Sequence, residues 1–474
     1  MRDREPRVRF GSSSRDRGIA LLTLLAVVAL GAALALIAIV NPRPSDLKRE
    51  EVTNRALARA KEALIAYAAT YSDAHPGEVP GYLPCPDQAG GNPEGVADAA
   101  LCGAKDVTVI GRLPWRTLGV EPLRDGAGEC FWYAVSGRFK NSPKTDVMNW
   151  DTLGQIEVYG PDAATLVAGA QPELRAAAVV FSPGVALGQD RQDDNPGTAQ
   201  APVCSEDYVP AHFLEAVGAV NNALANGTPG AVTKFVAGAK GNDFNDQLSF
   251  VTPTEIFAAV EKRRDFPAIA AKSVAECLVN YVKNNANWSG GDFRFPWAAR
   301  VALTGYLDSI AYDDSADQMA GRFPYLVDDT NGANPTSALT ATCPDQKNWW
   351  ANWKEYFFYA LAEDFKPSPS PGPPSRPLPL TCGSGCLQVD GVGGQVAVLM
   401  FAGKALKELN QARSPEAAKG ALGNYLEGRN LTNYPNATGN GNYEKISPTN
   451  APLNDVLWCV RIGAGGRPEA AACP

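Results

Sequence analysis

The sequence contains few of the residue types on which most catalytic and metal sites depend. Only two histidines, His75 and His212, occur in 474 residues, so histidine-based general base catalysis and histidine-rich metal sites have little to build on. His75 follows a predicted helix, where contact with the helix C-terminus is the simplest interpretation. His212 stands at a predicted helix start without recognisable partners. The sequence contains no nucleophile elbow, no Walker A motif and no dinucleotide-binding glycine motif. We therefore expect a protein that is not an enzyme.

Acidic loops rich in glycine and asparagine are the candidate cation sites. They cover residues 190–195, 313–317 and 328–331, and carboxylate and amide oxygens are the ligands that calcium prefers. None of them has the glutamate that completes an EF-hand loop at its twelfth position, and solvated acidic loops are the more common explanation. The sequence therefore predicts no cofactor and no metal site, while calcium binding stays open.

The cysteines predict disulfide bonds. Ten are present, and a predicted boundary near residue 251 divides them into even sets of four and six. Even sets suit disulfides that close within each part of the chain, in an oxidising compartment. Zinc is a poor alternative, because histidine is scarce and no second cysteine pair accompanies Cys382 and Cys386. The first pairs to expect are Cys85–Cys102, Cys382–Cys386 and Cys459–Cys473, and the full set is Cys85, Cys102, Cys130, Cys204, Cys277, Cys343, Cys382, Cys386, Cys459 and Cys473.

A cluster of tryptophans is the candidate ligand surface. Trp349, Trp350 and Trp353 place three indoles within five residues, and an exposed aromatic platform can bind a glycan or a partner protein. Other aromatic segments recur in both halves of the chain, which is typical of core residues. This tryptophan group does not recur, so it is the better candidate for a functional surface.

The N-terminus predicts a membrane segment. Residues 1–18 contain six arginines and three acids, and residues 19–40 are 22 residues without a charge. At 1.5 Å per residue such a helix is about 33 Å long, enough to cross a hydrocarbon core of about 30 Å. The arginines place the N-terminus in the cytoplasm by the positive-inside rule.

The net charge of −8 argues against a nucleic-acid partner.

The start of this segment resembles a prepilin processing site. Arg17-Gly18-Ile19, followed by an apolar run, is similar to the N-terminus of type IV prepilins and type II secretion pseudopilins. The resemblance implies that a prepilin peptidase cuts after Gly18 and methylates Ile19, and that the apolar helix packs with other subunits. The family usually has glutamate at the fifth mature position, where this chain has Thr23. Large minor pseudopilins also lack that glutamate, so the departure favours a minor subunit, and that family includes calcium binders. A plain uncleaved anchor and a cleaved signal peptide remain alternatives.

Beyond the span, the chain predicts a helix and then two repeated units. Residues 46–71 show helical spacing of apolar positions, with Leu47, Val52, Ala56, Ala60 and Leu64 among them. Short segments then recur in the same order in both halves. The matches pair Ala63–Tyr67 with Cys277–Tyr281, Leu113-Pro114-Trp115 with Phe295-Pro296-Trp297, Phe131–Ala134 with Phe357–Ala360, Ala178–Phe181 with Val398–Phe401, Phe213–Glu215 with Tyr425–Glu427, and Asn245–Leu248 with Asn454–Leu457.

The repeat defines the predicted fold class, which is α+β. It comprises an N-terminal transmembrane helix that continues into an amphipathic helix, followed by two duplicated units of helix and antiparallel sheet. The predicted strands are 130–136, 154–159, 176–182, 356–361, 386–390 and 394–401. Thr252, Pro253 and Glu255 predict a capped helix at the start of the second unit. The domains are a leader 1–18, a span 19–40, a first unit 45–251, and a second unit 252–474 with a proline-rich insertion at 367–380.

Together these features predict a structural function. We expect a bacterial minor pilin or pseudopilin-like subunit of a type IV pilus or type II secretion filament, single-pass in the inner membrane, with its ectodomain in the periplasm or outside the cell. Its partners would be the lipid bilayer, other pilin subunits and the prepilin peptidase. An uncleaved single-pass binding protein that uses the tryptophan surface is the alternative, and an anchored hydrolase is third.

Overall fold

The computed structural model describes residues 44–189, 191, 203–263, 265–284, 294–327, 337–339, 343, 347–367, 384–433, 441–445 and 452–474. The α-helices of these residues are α1 (Pro44–Ala74), α2 (Pro253–Glu261), α3 (Phe266–Asn284), α4 (Lys347–Trp353) and α5 (Gly428–Thr432). The strands of the first unit are β1 (Val109–Arg112), β2 (Trp132–Val135), β3 (Ile156–Tyr159), β4 (Leu166–Ala168), β5 (Ala178–Ser182), β6 (Ala216–Val217), β7 (Val220–Asn221), β8 (Thr233–Val236) and β9 (Gln247–Val251). Those of the second are β10 (Ala320–Arg322), β11 (Leu326–Val327), β12 (Ser337–Ala338), β13 (Phe357–Leu361), β14 (Leu387–Val389), β15 (Val392–Gln395), β16 (Ala397–Phe401), β17 (Asn442–Tyr443), β18 (Val456–Ile462) and β19 (Pro468–Ala472).

The first unit is built on a four-stranded antiparallel sheet. Its strand order is β1-β2-β5-β9. Successive side chains of a strand point to opposite faces, so Tyr133 and Val135 join the core cluster that includes α1, while Trp132 and Ala134 join a second cluster on the other face. A small sheet in the order β4-β3-β8 contributes Ile156 and other residues to that second cluster. Both faces of the central strands are therefore buried, which is why β2 and β5 read as continuous apolar runs.

Helix α1 packs on this sheet with only part of its length. Leu57, Ala60, Leu64 and Ala68 form its buried stripe, at intervals of three and four residues. The helix contacts β5, β9 and α2. Residues 45–52 are all exposed, so the first two turns extend beyond the globular body. The predicted apolar stripe was therefore wrong at Leu47 and Val52, which lie outside the contact with the sheet.

The second unit repeats this plan. Its sheet has the order β10-β13-β16-β18-β19 and is antiparallel throughout, with β19 as an added edge strand. Helix α3 packs on β16, β18 and β19. The small sheet β15-β14-β17 has one antiparallel and one parallel pairing, as the sheet β4-β3-β8 has.

The hydrogen bonds of the two units correct one of the proposed sequence matches. The Leu113 amide donates to the Phe131 carbonyl, as the Phe323 amide donates to the Phe357 carbonyl, both at 3.0 Å. The counterpart of Leu113 is therefore Phe323 and not Phe295. This aligns Gly111-Arg112-Leu113-Pro114 with Gly321-Arg322-Phe323-Pro324.

A second pair of contacts identifies the true counterpart of Phe295. The Tyr133 hydroxyl donates to the Pro84 carbonyl, and the Tyr359 hydroxyl donates to the Pro296 carbonyl, each at 3.1 Å. Phe295-Pro296 therefore corresponds to Leu83-Pro84.

The two units share one hydrophobic core. The Trp150 ring of the first unit meets Trp353 and Tyr356 of the second edge to face, at centroid distances of 4.7 and 5.0 Å. The Asn352 side-chain oxygen accepts the Met148 amide at 2.7 Å, across 204 residues of sequence. A single cluster of buried apolar residues includes α1, α2, α3 and both large sheets. The boundary between the units is thus a packed interface.

This interface corrects the predicted tryptophan surface. Trp349, Trp350 and Trp353 are 6, 2 and 0% exposed. All three lie on α4, where Trp349 and Trp353 pack on Phe266 and Trp350 stacks on Tyr325. The prediction was wrong because this aromatic segment packs into the core of the second unit, and at Trp353 against Trp150 of the first unit, instead of facing solvent.

The disulfides close within each unit. Cys85–Cys102 and Cys459–Cys473 are confirmed, and Cys130–Cys204 and Cys277–Cys343 are also formed. Cys386 is disulfide-bonded, and its predicted partner Cys382 lies outside the described residues. Disulfides of this number indicate an oxidising, non-cytoplasmic compartment.

The predicted capping box is confirmed as well, since Thr252 and Glu255 exchange hydrogen bonds at the start of α2.

The membrane predictions need correction. None of the helices in the described ranges is long and apolar enough to cross a bilayer. This finding contradicts the transmembrane element of the predicted fold class and the predicted single-pass inner-membrane localisation. What the described part shows is a mixed helix and sheet architecture. The leader 1–18, the span 19–40 and the insertion 367–380, except residue 367, lie outside the described residues.

Candidate functional site: a duplicated arginine and carboxyl cluster

An aromatic ring between two arginines occurs at the same place in both units. In the first unit the guanidinium carbons of Arg112 and Arg191 lie 4.2 and 5.2 Å from the Phe213 ring centroid. In the second unit Arg322 and Arg413 lie 4.9 and 4.5 Å from the Tyr425 ring centroid. Desolvated cation–π contacts of this kind contribute about 2 kcal/mol each. We call this set, together with the carboxyls beside it, the arginine–carboxyl cluster.

The strand ends position these arginines. Arg112 is the last residue of β1, and Arg322 is the last residue of β10. Each donates through Nη2 to a backbone carbonyl of the segment that carries the aromatic ring, Asp207 at 2.9 Å and Lys419 at 2.6 Å. The edge of each large sheet is therefore tied to a loop that is distant in sequence.

A glutamate and an aspartate form a buried pair behind each ring. In the first unit the Glu215 amide donates to Asp246 Oδ2 at 2.9 Å, and the Asp246 amide donates to Glu215 Oε2 at 3.2 Å. Each carboxyl thus accepts the backbone N–H of the other residue. Asn222 Nδ2 also donates to Asp246 Oδ2, at 2.9 Å. Gln189 Nε2 donates to Glu215 Oε1 at 2.8 Å.

The second unit contains the same pair with the same partners. The Glu427 amide donates to Asp455 Oδ2 at 3.1 Å, and Asn430 Nδ2 donates to the same oxygen at 3.1 Å. Gln411 Nε2 donates to Glu427 Oε1 at 2.6 Å. The Asn454 amide donates to Glu427 Oε2 at 3.1 Å. Most of the hydrogen bonds of the first pair therefore recur in the second unit, together with the residues that make them.

Burial changes the protonation of these carboxyls. It raises the pKa of Asp246 well above its ordinary value, and the charge of Glu215 raises it further. Burial and the charge of Glu427 raise the pKa of Asp455 in the same way, and burial also raises the pKa of Glu427. Two carboxyls in one buried site cannot both be ionised at low cost. Each pair therefore holds a proton to a higher pH in the folded state than in the unfolded chain.

The carboxyls of the cluster connect distant segments of the chain and are not accessible as a catalytic site. Glu215, Asp246, Glu427 and Asp455 are 2–7% exposed, so a substrate cannot reach them in this conformation. Their hydrogen bonds tie the loop before β6 to β9 in the first unit, and the loop before α5 to β18 in the second. Buried polar networks of this kind specify one arrangement of the chain when their members are paired.

The two copies differ at the arginine on the strand end. Arg322 is satisfied on every nitrogen, since Nε donates to the Val301 carbonyl at 2.8 Å, Nη1 to the Glu355 carbonyl, and Nη2 to Lys419. In the first unit, Nε and Nη1 of Arg112 have no hydrogen-bond partner in the part of the chain that the structure describes. Burial lowers the pKa of Arg112 to about 10, which leaves the group charged at neutral pH.

A narrow cleft opens beside Arg112. Asp87, Arg112, Trp115 and the Cys130–Cys204 disulfide line it, together with Leu113, Leu123 and Phe131, and it has room for about one water molecule. The Trp115 indole N–H is buried without a partner within the described ranges. Asp87 is 1% exposed and accepts the Gly95 amide at 2.7 Å. Burial raises the pKa of Asp87 to about 6.

The predicted site residues do not come together. His75 Nδ1 lies 2.8 Å from the Tyr71 carbonyl and its ring stacks on Tyr71, which is the helix-end contact expected for it. His212 Nδ1 lies 2.7 Å from Asp207 Oδ2, and no serine, threonine or tyrosine hydroxyl of the described residues bonds to this histidine. Gly18, Ile19 and Thr23 lie outside the described residues.

The candidate calcium loops are only partly described. Residues 313–317 lie in the described part, whereas 190, 192–195 and 328–331 do not. Among the described residues no group of three histidine, cysteine, aspartate or glutamate side chains could hold a metal ion.

Sequence reasoning missed the arginines of the cluster. Two short signals were available: Gly111-Arg112-Leu113-Pro114 recurs as Gly321-Arg322-Phe323-Pro324, and Gln189-x-Arg191 recurs as Gln411-x-Arg413. The carboxyl pairs were included in the sequence matches, as Phe213–Glu215 with Tyr425–Glu427 and Asn245–Leu248 with Asn454–Leu457, but nothing in the pattern showed that these two segments meet.

Fold and disulfides together define a class, a two-unit disulfide-bonded α+β protein of a non-cytoplasmic compartment. The chain matches no protein-family model, no curated protein and no solved structure.

Proposed function

We propose that this protein is a structural subunit of a pilin-like filament, of the minor type, and that it has no catalytic activity. One observation carries the proposal: a 31-residue helix, α1, packs its C-terminal part on an antiparallel sheet, while residues 45–52 extend beyond the body. Exposed Leu47 and Val52 on those turns give the extension apolar surface that other subunits can cover.

The N-terminal sequence supports the same proposal. The helix is preceded in sequence by Arg17-Gly18-Ile19 and the uncharged run 19–40, which resemble a prepilin processing site and the apolar segment behind it. The proposed partners are other pilin or pseudopilin subunits and a prepilin peptidase. The cluster described above suits this function, because inaccessible carboxyl pairs stabilise a body that must keep its shape and offer no site for turnover.

The alternative of a binding protein with a tryptophan surface has no observation in its favour. The three tryptophans that suggested it are buried. The His212–Asp207 contact likewise gives no support to a hydrolase, because the structure places no nucleophile beside it in the residues it describes.

Processing at Gly18 tests the proposal directly. The full chain is produced with and without a prepilin peptidase, and intact-mass and N-terminal analyses follow. We expect loss of residues 1–18 and one added methyl group on Ile19. Gly18→Ala should abolish the cut, whereas Gly11→Ala, a matched change at the other leader glycine, should be cut normally. An intact Met1 in the presence of an active peptidase, or cleavage that Gly18→Ala leaves unchanged, would overturn the filament proposal.

A further inference from the structure

Among the described residues, two side chains that line one small cleft of the first unit have three N–H donors without a hydrogen-bond partner. They are Nε and Nη1 of Arg112 and Nε1 of Trp115, each buried, and both residues line the same cleft. Buried donors without acceptors cost about 1–3 kcal/mol each, and more for a charged group. Native proteins nearly always satisfy such groups, with protein atoms, ordered water or a bound ligand.

The second unit shows what this position requires. There Nε and Nη1 of Arg322, the counterpart of Arg112, both donate to backbone carbonyls, those of Val301 and Glu355. In the first unit the corresponding carbonyl of Glu129 accepts the Asp125 amide at 2.9 Å instead. The same arginine therefore lies on the same scaffold in both copies, but the described residues supply two acceptors in the second unit and neither of them in the first.

The surroundings of Arg112 restrict what can satisfy it. Its guanidinium carbon lies 4.4 Å from the Trp132 ring centroid and 4.2 Å from that of Phe213, so aromatic rings contact the cation. The acceptor must therefore approach the N–H edges from the cleft. The cleft has room for about one water molecule, so a monoatomic ligand fits it better than phosphate or sulfate.

We propose that this cleft is a binding site for a monoatomic anion of the chloride class, held by Arg112 and Trp115. A cationic guanidinium and an indole N–H are donors that suit a halide, and a buried cation is stabilised most by an opposite charge in contact with it. The site goes beyond the filament proposal and does not depend on it.

Asp87 makes the binding depend on pH. Its carboxyl lines the same cleft, so an ionised Asp87 repels the anion and a protonated Asp87 does not. Burial, with a smaller contribution from the charge of Glu94, raises the pKa of Asp87 to about 6. Other titratable or charged groups also surround Asp87 and Arg112. They are Tyr208, Glu129, Arg191, Asp207, and the His212 side chain that contacts Asp207. If ionised Asp87 prevents binding, the apparent chloride Kd rises roughly 30-fold between pH 5 and pH 7.5.

The test uses the full chain with its disulfides intact. Thermal unfolding is followed in sodium chloride and in sodium gluconate of equal ionic strength, at pH 5 and pH 7.5, and crystals grown with bromide are examined for an anomalous peak at the cleft. We expect a rise in Tm specific to chloride at pH 5 that is largely lost at pH 7.5, and a bromide peak in contact with Arg112 and Trp115.

Three variants separate the proposal from general salt effects. Trp115→Phe removes one donor and should weaken chloride binding at least threefold, whereas Trp458→Phe, which removes an unpartnered buried indole N–H in the second unit, should behave as the natural chain does. Asp87→Asn should retain chloride stabilisation at pH 7.5. The site is refuted if chloride and gluconate give equal Tm values at pH 5, or if the cleft shows no bromide peak. A chloride effect that Asp87→Asn leaves as pH-dependent as before would refute the role given to Asp87.

Discussion

The two buried carboxyl pairs predict an unusual dependence of stability on pH. Asp246 and Asp455 have pKa values raised well above the ordinary value by burial and by their glutamate neighbours. A group whose folded-state pKa is raised contributes stability below its unfolded pKa and loses that contribution as the pH rises toward its folded pKa. The loss should therefore begin above about pH 4, where aspartate ionises in the unfolded chain.

The magnitude follows from the number of protons. Each pair keeps one proton that the unfolded chain has released, and each such proton lowers the free energy of unfolding by 2.303RT per pH unit. For both pairs together the slope is about 3 kcal/mol per pH unit. Other titratable groups also contribute to the measured slope. The contribution of each pair is therefore the difference in slope between the natural chain and a variant that lacks the retained proton.

Asparagine is the perturbation that isolates each pair. In Asp246→Asn the amide oxygen can still accept from the Glu215 amide and from Asn222, and its NH2 can donate to Glu215, but no proton has to be retained. We expect the stability of the variant relative to the natural chain to increase from pH 5 to pH 7.5, and the variant to lose about half of the slope. Asp455→Asn should do the same, and the double variant should lose nearly all of it.

The assay is denaturant unfolding between pH 5 and pH 8 with the disulfides intact. Asp243→Asn is the matched control, since it removes an aspartate at an exposed position and should leave the slope unchanged. If Asp246→Asn and Asp455→Asn fold normally and keep the full slope, the pairs do not hold the protons assigned to them and the reasoning fails.

Three further substitutions test the packing and the covalent links. Lys140→Met should lower the free energy of unfolding by about 2–4 kcal/mol in denaturant titrations, because three carbonyls would lose the hydrogen bond that the Lys140 ammonium donates to them. Lys105→Met, at an exposed ion pair, should leave stability nearly unchanged. Trp150→Ala should cost about 3–5 kcal/mol and should increase hydrogen exchange in both units, because this ring packs on Trp353 across the boundary; protection lost in one unit alone would contradict a shared core. Replacing Cys130 and Cys204 together by serine should lower stability by about 2–4 kcal/mol, and an unchanged Tm would show that this bond does not restrain the unfolded chain.

The strands and the local disulfides could be predicted because their signals are short-range. The aromatic run that forms β2 is buried on both faces, so its continuous apolar character marks it as a strand. Cys85 and Cys102 are only 17 residues apart, whereas Cys130–Cys204 spans 74 residues and nothing in the sequence selects it over other pairings.

The errors come from features that depend on distant contacts. Apolar-proline dipeptides occur several times in each unit, and Phe295-Pro296 was matched with Leu113-Pro114 instead of with Leu83-Pro84. Only the hydrogen bonds of the folded chain assign them correctly. The arginine–carboxyl cluster was missed for a related reason. Arg112 and Phe213 are in contact although about a hundred residues separate them in sequence, and the sequence around each one contains no recognisable motif.

The shared core also determines how the molecule responds to mechanical load. Helix α1 packs on β5, β9 and α2, so tension applied through its exposed N-terminal turns reaches both units at once. The Cys130–Cys204 disulfide carries the tension directly from one cysteine to the other. The chain between these two residues is therefore not stretched. Arg263 adds a bridge to α1, through Asp73 at 2.9 Å. When the protein is pulled from α1, we therefore expect both units to unfold together, in one unfolding event at high force instead of two separate events.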